Sequence, residues 1–394
     1  MKNVFIIGSR GYTKNYGGWE TFVHGLVDNW KDKSVHFYIF EMSNNGKDNG
    51  VIKDVNDVSC ISLYVKQTGS IAMMVFDYKS TKFALNYVQK RHIENPIFYY
   101  LGLRIGPYVR LIRNKLHKNK IILIENPAGL EWKRTKWNFL VQIYAKFAAK
   151  RMANSVDYLV CDNGGIQRVY ERICRRKKTK KLTIPYGTYP AEPLDKIIPT
   201  DVIDYWKMNH LSQNNYYLIL GRLVPENNYD LMIREFMNSS TNKKFLFICN
   251  VEKERKYFEE LKKRYHFEKD SRIVFAGELY DKRMLSYIRQ YAYAYVHGHS
   301  VGGTNPGLLE ALSNTDLCLL FDCVFNREVG KESALYFSSN HGSLSQLIED
   351  VEQMSLEDKN KMGNLAKANM VSNYSWNLIV DKYQELFEKI YPNK

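Results

Sequence analysis

The chain lacks Cys-x-x-Cys pairs and any Cys/His spacing that suits a metal, although six cysteines are present. They are scattered, and Cys161, Cys249 and Cys318 sit in or beside apolar, strand-like runs. Such usage argues against a disulfide scaffold and a zinc module, and is that of a reduced, cytoplasmic protein. No uninterrupted apolar run approaches the ~20 residues needed to cross a bilayer. The opening MKNVFIIGSRGY is a short strand ending in glycine, too brief for a signal-peptide core. Repeats and low-complexity tracts are missing, and so is the G-x-G-x-x-G spacing of a dinucleotide loop.

Acidic residues are scarce in one half only. Residues 1–200 carry 33 Lys+Arg against 16 Asp+Glu, while 201–394 carry 24 against 26, so nearly all of the net +15 sits in the first half. Within 101–181 there are 20 basic and five acidic residues. That asymmetry points to an anionic surface as a partner of the first half: phospholipid, nucleic acid or a phosphorylated substrate.

A length of 394 residues exceeds what one ordinary core organises and predicts two domains. A hydrophobic share of 45% with 14% aromatic residues excludes wholesale disorder. Short buried strands are predicted at 4–7, 35–41, 60–65, 97–101, 121–125, 157–161 and 182–185, then at 216–220, 245–249, 273–276, 294–297 and 317–321. Helical patterns between many of them favour parallel sheets with crossovers. The predicted division is a first domain over 1–195, a proline-rich linker over 196–213, a second domain over 214–372 and a closing helix over 373–394. That helix carries Trp376, Ile379, Val380, Tyr383, Leu386, Phe387 and Ile390 on one stripe and is expected to pack back on the first domain. The fold class is α/β, with two doubly wound, Rossmann-like domains facing a central cleft, where the carboxyl ends of the strands bind ligands.

The most informative stretch is YAYVHGHSVGGTNPGLLEAL, over 293–312. It reads as an apolar strand, a loop with His299, Gly302, Gly303, Thr304 and Asn305, then a helix start with Gly307, Leu308 and Glu310. Glycines let a backbone approach a ligand closely, and a helix N-terminus favours an anion such as phosphate. Glu310 is placed to accept a hydrogen bond from a sugar hydroxyl. A turn that merely joins strand to helix is the plainer reading, and this concentration of polar and glycine residues argues against it. Two further loops follow predicted strands: GSRGYTKNYGGWET after the first, and GRLVPENN, with Arg222 and Asn227, after the strand at 216–220. Arg222 sits where its fork of donors can reach a diphosphate.

Together, Gly221-Arg222-Leu223, the glycine loop followed by Leu-Leu-Glu-Ala, the segment NPAGLEWKRTKW and GSRG…YGGWET resemble the retaining GT-B glycosyltransferases of family 4. Within these they are most similar to bacterial rhamnosyltransferases that transfer L-rhamnose from dTDP-rhamnose in capsule or cell-wall polysaccharide assembly. The resemblance implies that Glu310, second glutamate of the Glu-x7-Glu signature, holds the nucleotide ribose. The first glutamate falls on Gly302, and Asn227 stands where a lysine is expected beside Arg222. Leaving-group charge then falls to Arg222 and to backbone N–H groups around Thr304, Asn305, Gly307 and Leu308. The reaction implied is retaining and metal-independent, with no cofactor beyond the nucleotide sugar, and the chain contains no Asp-x-Asp.

The acceptor is expected on the first domain, at Tyr16, Gly17, Gly18 and Glu20 and at Asn126, Lys133 and Arg134, with Tyr186 and Gly187 lining the cleft. Ala128 stands where related enzymes often have a side-chain base, and Glu131 is the substitute candidate, against its reading as a helix-start carboxylate. The resemblance implies a polyprenyl-diphosphate-linked saccharide acceptor. Basic helical patterns at 103–120 and 137–151 are candidates for contact with an anionic membrane, which would hold the protein at the inner face of the cell membrane. The competing reading is a core-packed face with a solvated basic rim. Two further alternatives are a UDP- or GDP-sugar donor and a non-enzymatic basic protein gripping nucleic acid or membrane. No nucleic-acid module supports a nucleic-acid partner.

Overall fold

The computed structural model describes residues 1–12, 17–127, 129–135 and 137–392. The chain divides into two compact units, Met1–Gly187 with Trp376–Lys394, and Thr188–Ser375.

The first unit is built on strands β1 (Lys2–Ile7), β2 (Val35–Ser43), β3 (Ile52–Val55), β4 (Val58–Tyr64), β5 (Pro96–Leu101), β6 (Ile122–Asn126), β7 (Tyr158–Cys161) and β8 (Lys180–Thr183). They form one sheet in the order β3-β4-β2-β1-β5-β6-β7-β8, parallel except for the edge strand β3. Every residue of β1 and β5 is buried, as expected of central parallel strands covered on both faces. The crossovers carry α1 (Gly18–Asp28), α2 (Gly69–Arg91), α3 (Gly106–Lys118), α4 (Phe139–Ala153) and α5 (Gly164–Ile173). Strand β3 was not expected. Its residues are largely exposed, and the signal for it was the two-residue turn Asn56-Asp57, both at positive φ, which closes a hairpin onto β4.

The second unit has strands β9 (Tyr216–Leu220), β10 (Lys244–Ile248), β11 (Ile273–Phe275), β12 (Ala294–His297), β13 (Cys318–Phe321) and β14 (Leu335–Phe337), all parallel, in the order β11-β10-β9-β12-β13-β14. Its helices are α6 (Thr200–Met208), α7 (Tyr229–Met237), α8 (Arg255–Tyr265), α9 (Lys282–Gln290), α10 (Pro306–Asn314), α11 (Val324–Gly330), α12 (Ser343–Glu352) and α13 (Leu356–Tyr374). The segment 196–213, expected as a linker, holds α6, whose Trp206 packs edge-on against Tyr291 of this unit.

The closing helix α14 (Trp376–Ile390) buries the apolar stripe read from the sequence except Ile390, which is half-buried, and joins the first unit. Its anchor is Trp376. A Cβ on Gly25 or Gly187 would come within 2.0 or 2.4 Å of the indole, so only glycine fits at either position. Tyr383 adds a buried hydroxyl–hydroxyl hydrogen bond to Tyr99 at 2.6 Å. Among the described residues no helix is long and apolar enough to cross a membrane.

Candidate functional site

In both sheets the strand order reverses beside the first strand of the unit, β1 or β9, and loops at the carboxyl ends of strands flanking such a reversal form the usual ligand crevice. In the second unit these loops follow β9 and β12. They are laced together. Ser300 donates to the Glu226 carbonyl through both its N–H (3.0 Å) and its hydroxyl (2.9 Å), and the Asn228 amide donates to the Gly298 carbonyl at 2.7 Å. Gly298 has no room for a side chain, because a Cβ would lie 2.3 Å from the Asn227 carbonyl oxygen.

Arg222 leaves β9 exposed, and among the described residues its guanidinium has no hydrogen-bond or ion-pair partner. Asn227 is buried, and its amide donates to the Arg222 carbonyl at 2.7 Å. Its side chain thereby fixes the turn that carries Arg222. His299 borders Gly221 and stacks on His297 with ring centroids 4.2 Å apart. His297 is fully buried, neither ring nitrogen has a hydrogen-bond partner among the described residues, and burial pulls its pKa down to about 3. It is a neutral ring supporting His299.

Space around Gly302 is open: no atom lies within 4 Å of where its Cβ would be. Asn305 caps α10, its side chain accepting from Gly307 N–H at 2.8 Å while its carbonyl accepts from Leu308 N–H at 3.0 Å. Those two N–H groups, expected to meet a leaving group, are already engaged in the cap. Thr304 is buried and Gly303 half-buried. Glu310 is 42% exposed and ion-paired with Arg289, a nearly buried side chain of α9. Sequence reasoning missed Arg289. Its signal was an arginine four residues after Leu285, on the buried stripe of that helix.

In the first unit several of the expected residues make internal contacts. The Glu20 carboxylate is buried and accepts from Arg10 N–H at 2.7 Å, so it holds the loop after β1 instead of facing an acceptor. Gly17 (φ 129°) must be glycine, since a Cβ would fall 2.2 Å from that carboxylate, whereas Gly18 is open. Tyr16 lies outside the described residues, as does Ala128. Asn126 is buried against the hydroxyls of Tyr99 and Tyr186. Tyr186 is itself buried between Trp19 and Phe22, its hydroxyl pushed well up by burial, and Gly187 lies under Trp376; both are packing positions rather than lining ones. Glu131 is ion-paired with Arg134 at 2.6 Å and accepts a hydrogen bond from the Trp137 indole at 3.2 Å, contacts that engage the carboxylate proposed as a base. Lys133 is exposed.

Glu125, just before Asn126, is fully buried, and neither carboxylate oxygen has a hydrogen-bond partner among the described residues. Desolvation raises its pKa well above the ordinary carboxylate value, which favours the neutral form. All six cysteines are free, and among the described residues no three His, Cys, Asp or Glu side chains cluster as metal ligands.

A family described as a domain of unknown function, DUF1972, matches residues 1–189, just under half of the chain. No curated protein sequence matches. Among solved structures, a sucrose-phosphate synthase from Thermosynechococcus elongatus superposes with a TM-score of 0.76 at 14% identity, covering 99% of both chains. A trehalose-6-phosphate protein from E. coli bound with UDP-2-fluoro glucose gives 0.73 at 12%, covering 100% of both. HepE of Anabaena, in complex with UDP, gives 0.72 at 12%, covering 99% of this chain and 100% of its own. At these identities the likeness establishes the fold, which is GT-B.

Proposed function

We propose that the protein is a glycosyltransferase that moves a sugar from a nucleotide-sugar donor held by its second unit. The observation that carries this reading is the pairing, where the strand order reverses, of an exposed Arg222, without a side-chain partner among the described residues, with a glycine loop and Glu310 one turn inside α10. Breaking the anomeric bond leaves a nucleoside diphosphate with new negative charge, and Arg222 supplies a fixed cation to meet it. Glu310, steered by Arg289, takes the ribose hydroxyls. The sugar is L-rhamnose carried on dTDP, and Gly302, with open space in place of the family's first glutamate, suits a 6-deoxy sugar. Transfer proceeds with retention and without a metal, the acceptor hydroxyl attacking on the side of the leaving group. The acceptor is a lipid-linked saccharide of a capsular or cell-wall polysaccharide, met by the first unit.

A UDP-sugar donor is the second reading, favoured by the UDP and UDP-2-fluoro glucose bound in structures of the same fold. A panel of nucleotide sugars separates the two, with release of nucleoside diphosphate and thermal protection as readouts. Protection and turnover with dTDP-rhamnose support the proposal. Response to UDP-sugars alone moves the donor to the second reading, and response to none rejects sugar transfer.

A further inference from the structure

Helix α4 is packed inside out. The side chains it turns to the core are small, Ala145, Ala148, Ala149 and Ala153, with Met152 beside them. Its large apolar side chains face outward: Phe139 is 73% exposed, Leu140 75% and Ile143 51%. Close packing accounts for the small residues, since Gly106 of α3 lies so near the α4 backbone that a Cβ there would sit 2.2 Å from the Ala148 carbonyl oxygen. Nothing in the unit accounts for the outward face. An amphipathic helix ordinarily buries its large apolar stripe, and clustered exposed apolar side chains mark interaction surfaces. The adjoining α3 adds Leu111, 82% exposed.

The charge around this face has one sign. The stretches 95–124 and 132–156 contain no aspartate or glutamate. Arg110, Lys115, Lys118, Lys146 and Lys150 are exposed on the two helices, whereas Arg113 is committed to the Ser155 carbonyl and Asp157. A second copy of the chain would set these cations against their equals with no acidic side chain on either helix to answer them. An anionic bilayer answers both features at once.

We propose that the outward face of α4, with the adjoining exposed end of α3, docks on an anionic lipid bilayer. Phe139, Leu140 and Ile143 enter the boundary between headgroups and acyl chains, and the lysines and Arg110 meet lipid phosphates. A helix of 15 residues is about 22 Å long and lies in the plane of the interface. The Tyr144 hydroxyl, donating to the Arg104 carbonyl at 2.8 Å, ties α4 to the loop that precedes α3. The inference stands apart from the sugar-transfer reading, because it concerns binding to lipid and not turnover.

The test is flotation of the full chain with phosphatidylcholine vesicles with and without phosphatidylglycerol. The wild type floats with the anionic vesicles and less so as salt rises. Phe139→Glu with Leu140→Glu lowers partition roughly ten-fold or more with an unchanged melting temperature, as expected of exposed positions. Lys146→Glu and Lys150→Glu each weaken binding about five-fold. A wild type that stays in solution overturns the proposal, as does a folded Phe139→Glu/Leu140→Glu variant that floats equally well. A wild-type dimer that this variant splits, without lipid binding, assigns the face to a second copy and overturns it too.

Discussion

Each unit has a glycine loop beside the reversal of its strand order, after β1 in the first and after β12 in the second, yet the charged side chains nearby are used differently. In the first unit Arg104 donates to the buried Asp77 carboxylate at 2.7 Å and to the Gly8 carbonyl at 2.8 Å, while Glu20 holds Arg10 N–H. Gly8 itself (φ 121°) passes so close to Leu101 that a Cβ would lie 2.4 Å from its carbonyl oxygen. Arg104, Asp77 and Glu20 there all have internal partners. In the second unit Arg222 is exposed without such a partner among the described residues, and Glu310 keeps much of its surface open. Beside one glycine loop, charged side chains are thus tied to backbone and side-chain groups of their own unit, while beside the other an arginine is left exposed.

The largest effect that sharpens this contrast is Arg104→Ala. It strands the Asp77 carboxylate, only 5% exposed, and lowers unfolding free energy by about 3–5 kcal/mol in a urea melt. A wild-type midpoint would break the claim that the first loop is braced from within. Arg222→Ala does the reverse: nucleoside diphosphate release falls about 10²–10³-fold while the melt is unchanged. Lost stability with retained turnover would place Arg222 among the braces.

Next come two buried titratable groups with opposite pH signatures. Glu125, at the end of β6, has its pKa raised by burial when folded and is ionised when unfolded above about pH 4.3, so its contribution to stability declines as pH rises from there. His297, at the end of β12, is neutral when folded and protonated when unfolded below about pH 6.5. Its contribution declines as pH falls from there toward about 3. Each slope approaches about 1.4 kcal/mol per pH unit. Melts from pH 5 to pH 8 should show Glu125→Gln relieving the alkaline decline and His297→Asn the acid one. Parallel profiles for wild type and either variant would remove that residue from the account. The smallest effect is Gly302→Glu, which the open space admits without loss of stability and which changes donor preference by a few-fold in competition assays.

The sheets were legible because fully buried parallel strands are near-continuous apolar runs, as β1 and β5 are. Strand β3 was not, since an exposed edge strand such as Ile-Lys-Asp-Val lacks that signature. Glycine loops located the candidate site, but sequence spacing cannot tell whether a side chain is already engaged: Glu20, Asn227 and Tyr186 all turned inward. Arg289, twenty-one residues before Glu310, was hidden because an ion pair between two helices has no local period. Helix α4 ran against the usual rule, its alanines rather than its aromatic residues facing the core.

The most direct test of the central claim is calorimetric titration of dTDP and of UDP into the full chain and into Arg222→Ala and Glu310→Ala. Saturable binding of a nucleoside diphosphate, weakened at least ten-fold by either substitution, is the predicted result. No binding of either nucleotide, or equal affinity in all three proteins, would contradict the assignment of the second unit as the donor site.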